Sequence, residues 1–191
     1  MSYAEVLSGR KPVGEKVAII GAGGIGFDTA EFLTHNHHHV SPSLDVNKYM
    51  KGWGVDMNYG IGGAVEKPRP ESSPRKVYLL KRSIGKHGKK LGKTTGWIHR
   101  ASLVMKEVVH LANVTYHKID DEGFHISVGE EKQILDVDNV VVCAGQESLR
   151  VLWEDLKVKH DRVHLIGGAD EASQLDAKRA IKQASYLVAG I

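Results

Sequence analysis

Val17-Ala18-Ile19-Ile20-Gly21-Ala22-Gly23-Gly24-Ile25-Gly26 is the stretch that decides the fold. Four apolar residues read as a buried strand, three spaced glycines as a tight turn, and the amphipathic run from Phe27 to Leu33 as a helix. Each glycine has its own reason. Gly21 accepts the positive φ of the turn, Gly23 lets a pyrophosphate approach the backbone with no Cβ in the way, and Gly26 allows the helix to pack closely on the strand. The helix N-terminus then offers unpaired N–H groups and about half a positive charge to an anion. A bare G-x-G-x-x-G is a weak motif, but strand before and helix after is the context it requires. Gly21, Ala22, Gly23, Gly24, Ile25 and Gly26 are therefore the predicted dinucleotide cradle.

Working outward, residues 1–16 form a polar lead-in broken by Gly9, Pro12 and Gly14, which reads as a linker. After the first helix a second strand is due within a few residues. Instead the chain runs through His35 to Pro74 with no sustained periodicity, and between Gly52 and Pro70 it carries seven glycines and prolines. We read about forty residues here as an insertion, with one short helix near Leu44 to Trp53. The second strand is then Lys76 to Lys81, and a helix follows from Thr94 or Thr95 through Val108. Val114 to Ile119 reads as the third strand. Gly123 to Val128 and Lys132 to Val137 alternate as the arms of a β-hairpin, and Asn139 to Cys143 is another buried strand. Past Gly145 the composition changes to a charged connection, a strand Val163 to Ile166, and a closing helix from Leu175 to Val188. The predicted fold class is α/β: a Rossmann-like, doubly wound, mostly parallel sheet with a small antiparallel hairpin flap and a long insertion after the first helix. The predicted division is a linker over 1–16, a nucleotide-binding domain over 17–150 and a strand–turn–helix over 151–191.

Composition bounds the function. The 191 residues suit one good-sized domain with an appendage, and 41% hydrophobic with 26% charged residues is ordinary for a globular chain. A net charge of +3 with no basic block interleaved with aromatics argues against nucleic acid. The excess is local: Lys81, Arg82, Lys86, Lys89, Lys90, Lys93 and Arg100 fall within twenty residues, which reads either as an anion site or as a solvated basic face. One cysteine, Cys143, excludes a disulfide and a thiolate cage, and its apolar strand marks it as a core thiol. With no apolar run long enough for a membrane and no leader-like segment at the start, the expected location is cytoplasmic.

The end of the second strand selects the dinucleotide. An acid there holds the ribose 2′-OH of NAD, whereas a basic group accommodates the 2′-phosphate of NADP. Asp45 lies at the right sequence distance but follows Ser41-Pro42-Ser43, a poor start for a central strand. With the strand placed at 76–81 the selectors become Lys81 and Arg82, and NADPH the expected cofactor. Gly92-Lys93-Thr94 fails as a P-loop because His87 stands where the first glycine belongs. No tyrosine has a lysine four residues on, which removes the short-chain dehydrogenase reading. The run His35, His37, His38, His39 lacks a carboxylate or thiolate to complete a shell, so no metal site is assigned. His99 and Arg100 read equally as ligand contacts or helix surface. No catalytic residue is assigned, because no acid–base pair or nucleophile emerges and the redox partner of a nicotinamide must come from elsewhere.

Five strings in order carry a resemblance over essentially the whole chain: Val17 to Asp28, Leu91 to Arg100, Tyr116 to Gly123, Val140 to Glu147 and His164 to Asp170. Together they resemble the C-terminal part of bacterial NADPH-dependent 2,4-dienoyl-CoA reductases. In that family a barrel with FMN and an iron–sulfur cluster precedes an FAD domain that is interrupted by an NADPH domain. The resemblance implies that Val17 to Gly145 is the NADPH domain and Val163 to Ile191 the end of the split FAD domain. By that likeness Gly145, at the end of the NADPH domain, and Asp170 are cofactor-binding residues, Asp170 facing the flavin's ribityl–pyrophosphate region, and the partner is the flavin and iron–sulfur portion of a parent enzyme. The family's usual Pro-Asn after Gln-Glu is Ser148-Leu149 here, and nothing in the chain resembles the barrel or the first FAD-binding turn. FAD is thus expected only within a longer parent chain, and this chain alone is expected to be an inactive fragment or truncated relative. The rival reading is a non-enzymatic nucleotide-sensing module that keeps the fold without the electron path.

Overall fold

The computed structural model describes residues 1–36, 39–173 and 175–190. His37 and His38 of the histidine run lie outside the described residues. The chain divides into two compact units, Met1–Ala144 and Gly145–Ile191.

In the first unit the elements are α1 (Tyr3–Leu7), β1 (Lys16–Ile20), α2 (Gly24–Thr34), α3 (Val46–Gly52), β2 (Lys76–Leu80), α4 (Gly96–Met105), β3 (Val109–Leu111), β4 (Val114–Asp120), β5 (Gly123–Val128), β6 (Glu131–Leu135) and β7 (Asn139–Val142). Four strands form a parallel sheet in the order β3-β2-β1-β7, with Ile19 opposite Leu79 on one side and Val141 on the other. The remaining three form a separate antiparallel sheet, β4-β5-β6. The predicted α/β class with a parallel sheet and an antiparallel appendage is what the chain adopts.

Period-2 alternation sorts the parallel strands between two cores. Val17, Ile19, Val77, Leu79 and Val141 pack against Phe27, Ala30 and Leu33 of α2 and Leu103 of α4. Ala18, Leu80, Tyr78 and Val140 pack instead against Val114, Phe124, Ile126 and Leu135 of the antiparallel sheet. β1 thus has Val17, Ala18 and Ile19 at 0% exposure because both its faces are covered, which is why it reads as a continuous apolar run.

Three expectations are corrected. The lead-in holds a helix rather than only a linker: Ser2 and Glu5 form a capping box, and Val6 is buried in the core beside α2. The third parallel strand is the three-residue β3, while Val114 onward turns into the antiparallel sheet, with the backbone strained to positive φ at Asn113 just before it. The predicted hairpin forms as β5 and β6, and β4 joins it to make a three-stranded sheet. Val163 to Ile166 forms no strand. The insertion does contain its short helix, α3, closed by an Asp45 N-cap, and it is held together by an isolated bridge between Val55 and Val65 and by Asp56, whose carboxylate accepts from the Asn58 and Ile61 N–H groups.

The second unit comprises α5 (Val151–Leu156), a short 3-10 turn at Gly167–Ala169 and α6 (Ala177–Gly190). Polar contacts tie it: Gln183 accepts from the Gly167 N–H at 2.7 Å and donates to the Asp170 carboxylate at 2.7 Å, and Arg150 donates to the carbonyls of Ala169 and Asp170. None of its described residues is buried, and Leu149, Leu152 and Val158 stay exposed. It has no core of its own.

Candidate functional site

The sheet order makes β1 and β7 neighbours although the chain leaves β1 toward β2. At such a switch point the carboxyl ends of adjacent strands open a crevice. The glycine turn sits there. Gly21 has φ +111°, donates its N–H to the Leu80 carbonyl at 2.9 Å, and a Cβ on it would meet the Cys143 carbonyl at 2.9 Å. A Cβ on Gly26 would stand 1.8 Å from the Gly21 oxygen, which no side chain tolerates. Gly23 and Gly24, by contrast, have nothing within 4 Å of where a Cβ would go. Two glycines thus let protein close on protein, and two leave open space beside the helix end.

That helix end is prepared for an anion. The first helical bond of α2 runs from Phe27 N–H to the Gly23 carbonyl at 3.0 Å, so the N–H groups ahead of it have no helical acceptor. Gly23 as N-cap brings no side chain to satisfy them, and the first turn has no acidic residue to compete. Ala22 and Ile25 are half-buried between the glycines, supporting the turn against the core. An open cradle with unpaired donors fits a pyrophosphate.

Lys81 and Arg82 follow β2 directly, beside the cradle. Their side chains differ in situation. The Lys81 ammonium donates to the Lys86 carbonyl at 3.0 Å and the Ile84 carbonyl at 3.4 Å, folding the loop 81–86 over itself. Arg82 is exposed, and its charge acts on Tyr116, whose hydroxyl burial pushes to a higher pKa. The loop is anchored further by His87, which the sequence marks only as the residue that breaks a P-loop spacing. His87 is buried, and its Nε2–H lies 3.0 Å from the Leu79 carbonyl and 3.1 Å from that of Leu111, bridging the ends of β2 and β3. Burial, then the charges of His110 and Lys81, hold its pKa below the ordinary value. Arg100 ties the same loop by donating to the Gly88 carbonyl at 3.2 Å. Lys86, Lys89, Lys90 and Lys93 are solvent-exposed around it.

Other predicted residues fall elsewhere. Asp45 caps α3 by accepting from the Lys48 N–H at 3.1 Å, so it is not at a strand end. His99 donates to Glu31 of α2 at 2.9 Å. Cys143 is buried, its thiol pushed up in pKa by burial and directed at the Thr29 hydroxyl. Gly145 (φ +86°) and Asp170 both belong to the second unit. Among the described residues one set of potential metal ligands gathers, Asp120, Glu122 and His125 at the β4–β5 turn. There Asp120 is already paired with Lys118 and accepts from His125 at 2.7 Å. No helix among the described residues is long and apolar enough to cross a membrane.

Residues 3–177 match the sequence profile described as pyridine nucleotide-disulphide oxidoreductase. A curated relative, a metal reductase of Desulforamulus reducens, is 27% identical over 165 residues, covering 86% of this chain and 23% of the relative. Among solved structures, a 2-naphthoyl-CoA reductase complex superposes with a TM-score of 0.67 at 20% identity, over 96% of this chain and 22% of the other. An amine oxidase acting on 6-hydroxypseudooxynicotine, from Pseudomonas geniculata, gives 0.63 at 17% identity, over 97% and 23%. The chain spans less than a quarter of each of these three proteins.

Proposed function

The chain belongs to the pyridine nucleotide-disulphide oxidoreductase family, and on that premise we propose that its first unit is the NADPH-binding portion of a flavoprotein oxidoreductase of the 2,4-dienoyl-CoA reductase type. The observation that carries this reading is the cradle at the β1/β7 switch point, closed at Gly21 and Gly26 and open at Gly23 and Gly24, with a cationic loop beside it. In this reading Gly21, Ala22, Gly23, Gly24, Ile25 and Gly26 hold the pyrophosphate against the N-terminus of α2. Lys81 and Arg82 stand where a 2′-phosphate would lie. When bound, NADPH supplies a hydride. This chain's own part is to hold and orient the dinucleotide, because no group at the cradle among the described residues is placed to move a proton.

The second unit, on the same reading, is the end of a split FAD-binding domain, with Gly145 at the crossover and Asp170 toward the flavin. Its lack of any buried described residue is what half of a divided domain would show. The electron acceptor, the FAD and the flavin and iron–sulfur partner then belong to a longer cytoplasmic parent. A self-contained sensing module would be expected to carry a finished core throughout.

Calorimetric titration of the purified chain with NADPH and NADH tests the assignment. Saturable NADPH binding with weaker NADH binding is expected. A preference for NADH, or no heat from either, overturns it.

A further inference from the structure

The insertion encloses a space unrelated to the cradle. A cavity of about 660 Å³ lies between the insertion, the last turns of α2 and one face of α4. Its α2 contributors are Glu31, Thr34 and the following His35, some seven or more residues beyond the helix start at Gly24. At 1.5 Å per residue that is about 10 Å from the phosphate-facing end, so a nucleotide on the cradle leaves this cavity open.

Its size falls within the range of small-molecule sites, roughly 300–1,000 Å³. Its lining combines apolar and aromatic side chains with charged ones, Glu31, Lys48, Lys51 and Arg69 besides Glu71 and Lys106. Trp53 stands half-buried on one wall beside Tyr49, at a ring separation of 6.4 Å, and Ile98 and Met105 of α4 line the other. Tyr49 remains 44% exposed, more than core packing explains.

Two opposite charges on the shared wall act on each other, the Glu71 charge raising the Lys106 pKa against its burial, without closing to an ion pair among the described residues. The Lys106 ammonium is partly buried and its pKa is lowered by that burial, yet it donates at 2.7 Å to the backbone carbonyl of Glu71, not to its carboxylate. The Glu71 Oε2 is buried with no donor among the described residues. Among the described residues neither side chain makes a salt bridge with any other. The Glu71 oxygen costs desolvation free energy until a donor arrives, and the Lys106 ammonium has committed one of its three N–H donors to the Glu71 carbonyl, leaving two. A ligand with a single charge would satisfy one and repel the other. An ammonium and a carboxylate on one carbon would satisfy both, with a flat side chain against Trp53.

We propose that this cavity is a second ligand site, for a free aromatic α-amino acid: its carboxylate meets Lys106, its ammonium meets Glu71, and its ring lies along Trp53. The site stands independently of the nucleotide reading, since it shares no residue with the cradle.

The test is calorimetry on the full chain with L-phenylalanine, 3-phenylpropionate, which lacks the ammonium, and phenethylamine, which lacks the carboxylate. Saturable binding of phenylalanine is expected, with each singly charged analogue at least tenfold weaker. Glu71→Gln and Lys106→Met should each weaken phenylalanine binding tenfold or more. Glu71→Gln should also narrow the gap between phenylalanine and 3-phenylpropionate, a selectivity change that a merely misfolded protein would not give. Circular dichroism establishes that the variants are folded, and Glu71→Gln alone suffices if Lys106→Met is not. Absence of phenylalanine binding at millimolar concentration, equal binding of all three compounds, or selectivity unchanged in Glu71→Gln overturns the proposal.

Discussion

Gly23→Ala and Gly26→Ala add one methyl group each, three residues apart, and should fail in opposite ways. At Gly26 the helix itself would welcome alanine, by about 1 kcal/mol of intrinsic propensity. The new Cβ, however, would stand 1.8 Å from the Gly21 carbonyl oxygen, and real Cβ contacts do not fall below 3.0 Å. Helix and turn must separate by about 1 Å, and overpacking of that kind costs about 1–3 kcal/mol. Neither side yields easily. The turn is held by the Gly21 N–H bond to Leu80 and backs onto Cys143, and α2 is packed by Phe27, Ala30 and Leu33, each at most 1% exposed. Taking the upper end of the cost and subtracting the propensity leaves a net loss of about 2 kcal/mol, or roughly 4–8 °C in melting temperature for a unit of this size. Gly23 has an ordinary extended backbone, φ −85° and ψ −170°, and open space around it, so alanine there should change stability by no more than about 0.5 kcal/mol. Its methyl group does enter the space assigned to the pyrophosphate, and NADPH affinity should fall at least tenfold. Thermal and urea unfolding by circular dichroism, with nucleotide calorimetry on the same samples, separates the two effects. A Gly26→Ala protein as stable as the parent refutes the close contact; a Gly23→Ala protein that binds NADPH normally refutes the placement of the phosphates.

Further outcomes follow from individual contacts. Arg75 donates to the Gly14 carbonyl at 3.1 Å and the Leu33 carbonyl at 3.2 Å, joining the entry of β1 to the end of α2, so Arg75→Ala should lose about 1.5–3 kcal/mol in urea unfolding; an unchanged midpoint would show those carbonyls are as well served by water. His87 and His110 both have pKa values held below the ordinary 6.5, chiefly by burial, so the unfolded chain takes up protons first as pH falls. Stability is therefore full above about pH 6.5 and declines below it, and His87→Gln should flatten the decline between pH 7.5 and 5.5; an unaltered slope would remove His87 from the account. Cys143 is the sole cysteine and is buried, so iodoacetamide should label the native protein slowly and label one site per chain promptly in urea, and rapid native labelling would contradict its burial. Replacing Arg82 with glutamate should weaken NADPH binding more than NADH binding, and Lys81→Glu, which also unfastens the Ile84 and Lys86 carbonyls, should weaken both with the larger loss for NADPH; equal losses of NADPH and NADH binding would show that these side chains are not the selectors.

Much of this fold is legible in the chain because its strongest signals are local. The apolar run and glycine spacing of 17–26 announce β1 and α2, and Lys76 to Leu80 declares itself as β2 by being apolar through its centre. Signals fail where the structure depends on something distant. β3 is three residues long and owes its strandedness to pairing with Tyr78 to Leu80, so Val109 to Leu111 is indistinguishable in sequence from the tail of a helix. Val163 to Ile166 fails in the opposite direction: four residues of strand-like character form no strand, since β-propensity without a neighbouring edge is no structure. The Ser2-to-Glu5 capping box was present in the sequence and outweighed by the glycines and proline that follow it. Placement of Lys81 and Arg82 beside the cradle is readable from strand order, but not that one ammonium is committed to its own loop. The Glu71 and Lys106 wall carries no sequence signal, because thirty-five residues separate its members and only packing of the insertion on α4 joins them.

The central position of β1 also sets an order of assembly. Val17 pairs with Val77 on one side and Asn139 on the other, so half of its pairing waits for a segment made more than a hundred residues later. Pairings of such separation form late, after the entropy of closing the intervening chain has been met. The seat of Gly21 is the Cys143 carbonyl, just past β7. During synthesis the glycine turn therefore leaves the ribosome well before β7 and acquires its final shape only once β7 is in place. Until β7 arrives, one edge of β1 is an apolar strand without a partner, and this is the interval in which the chain most needs protection from pairing with another copy of itself.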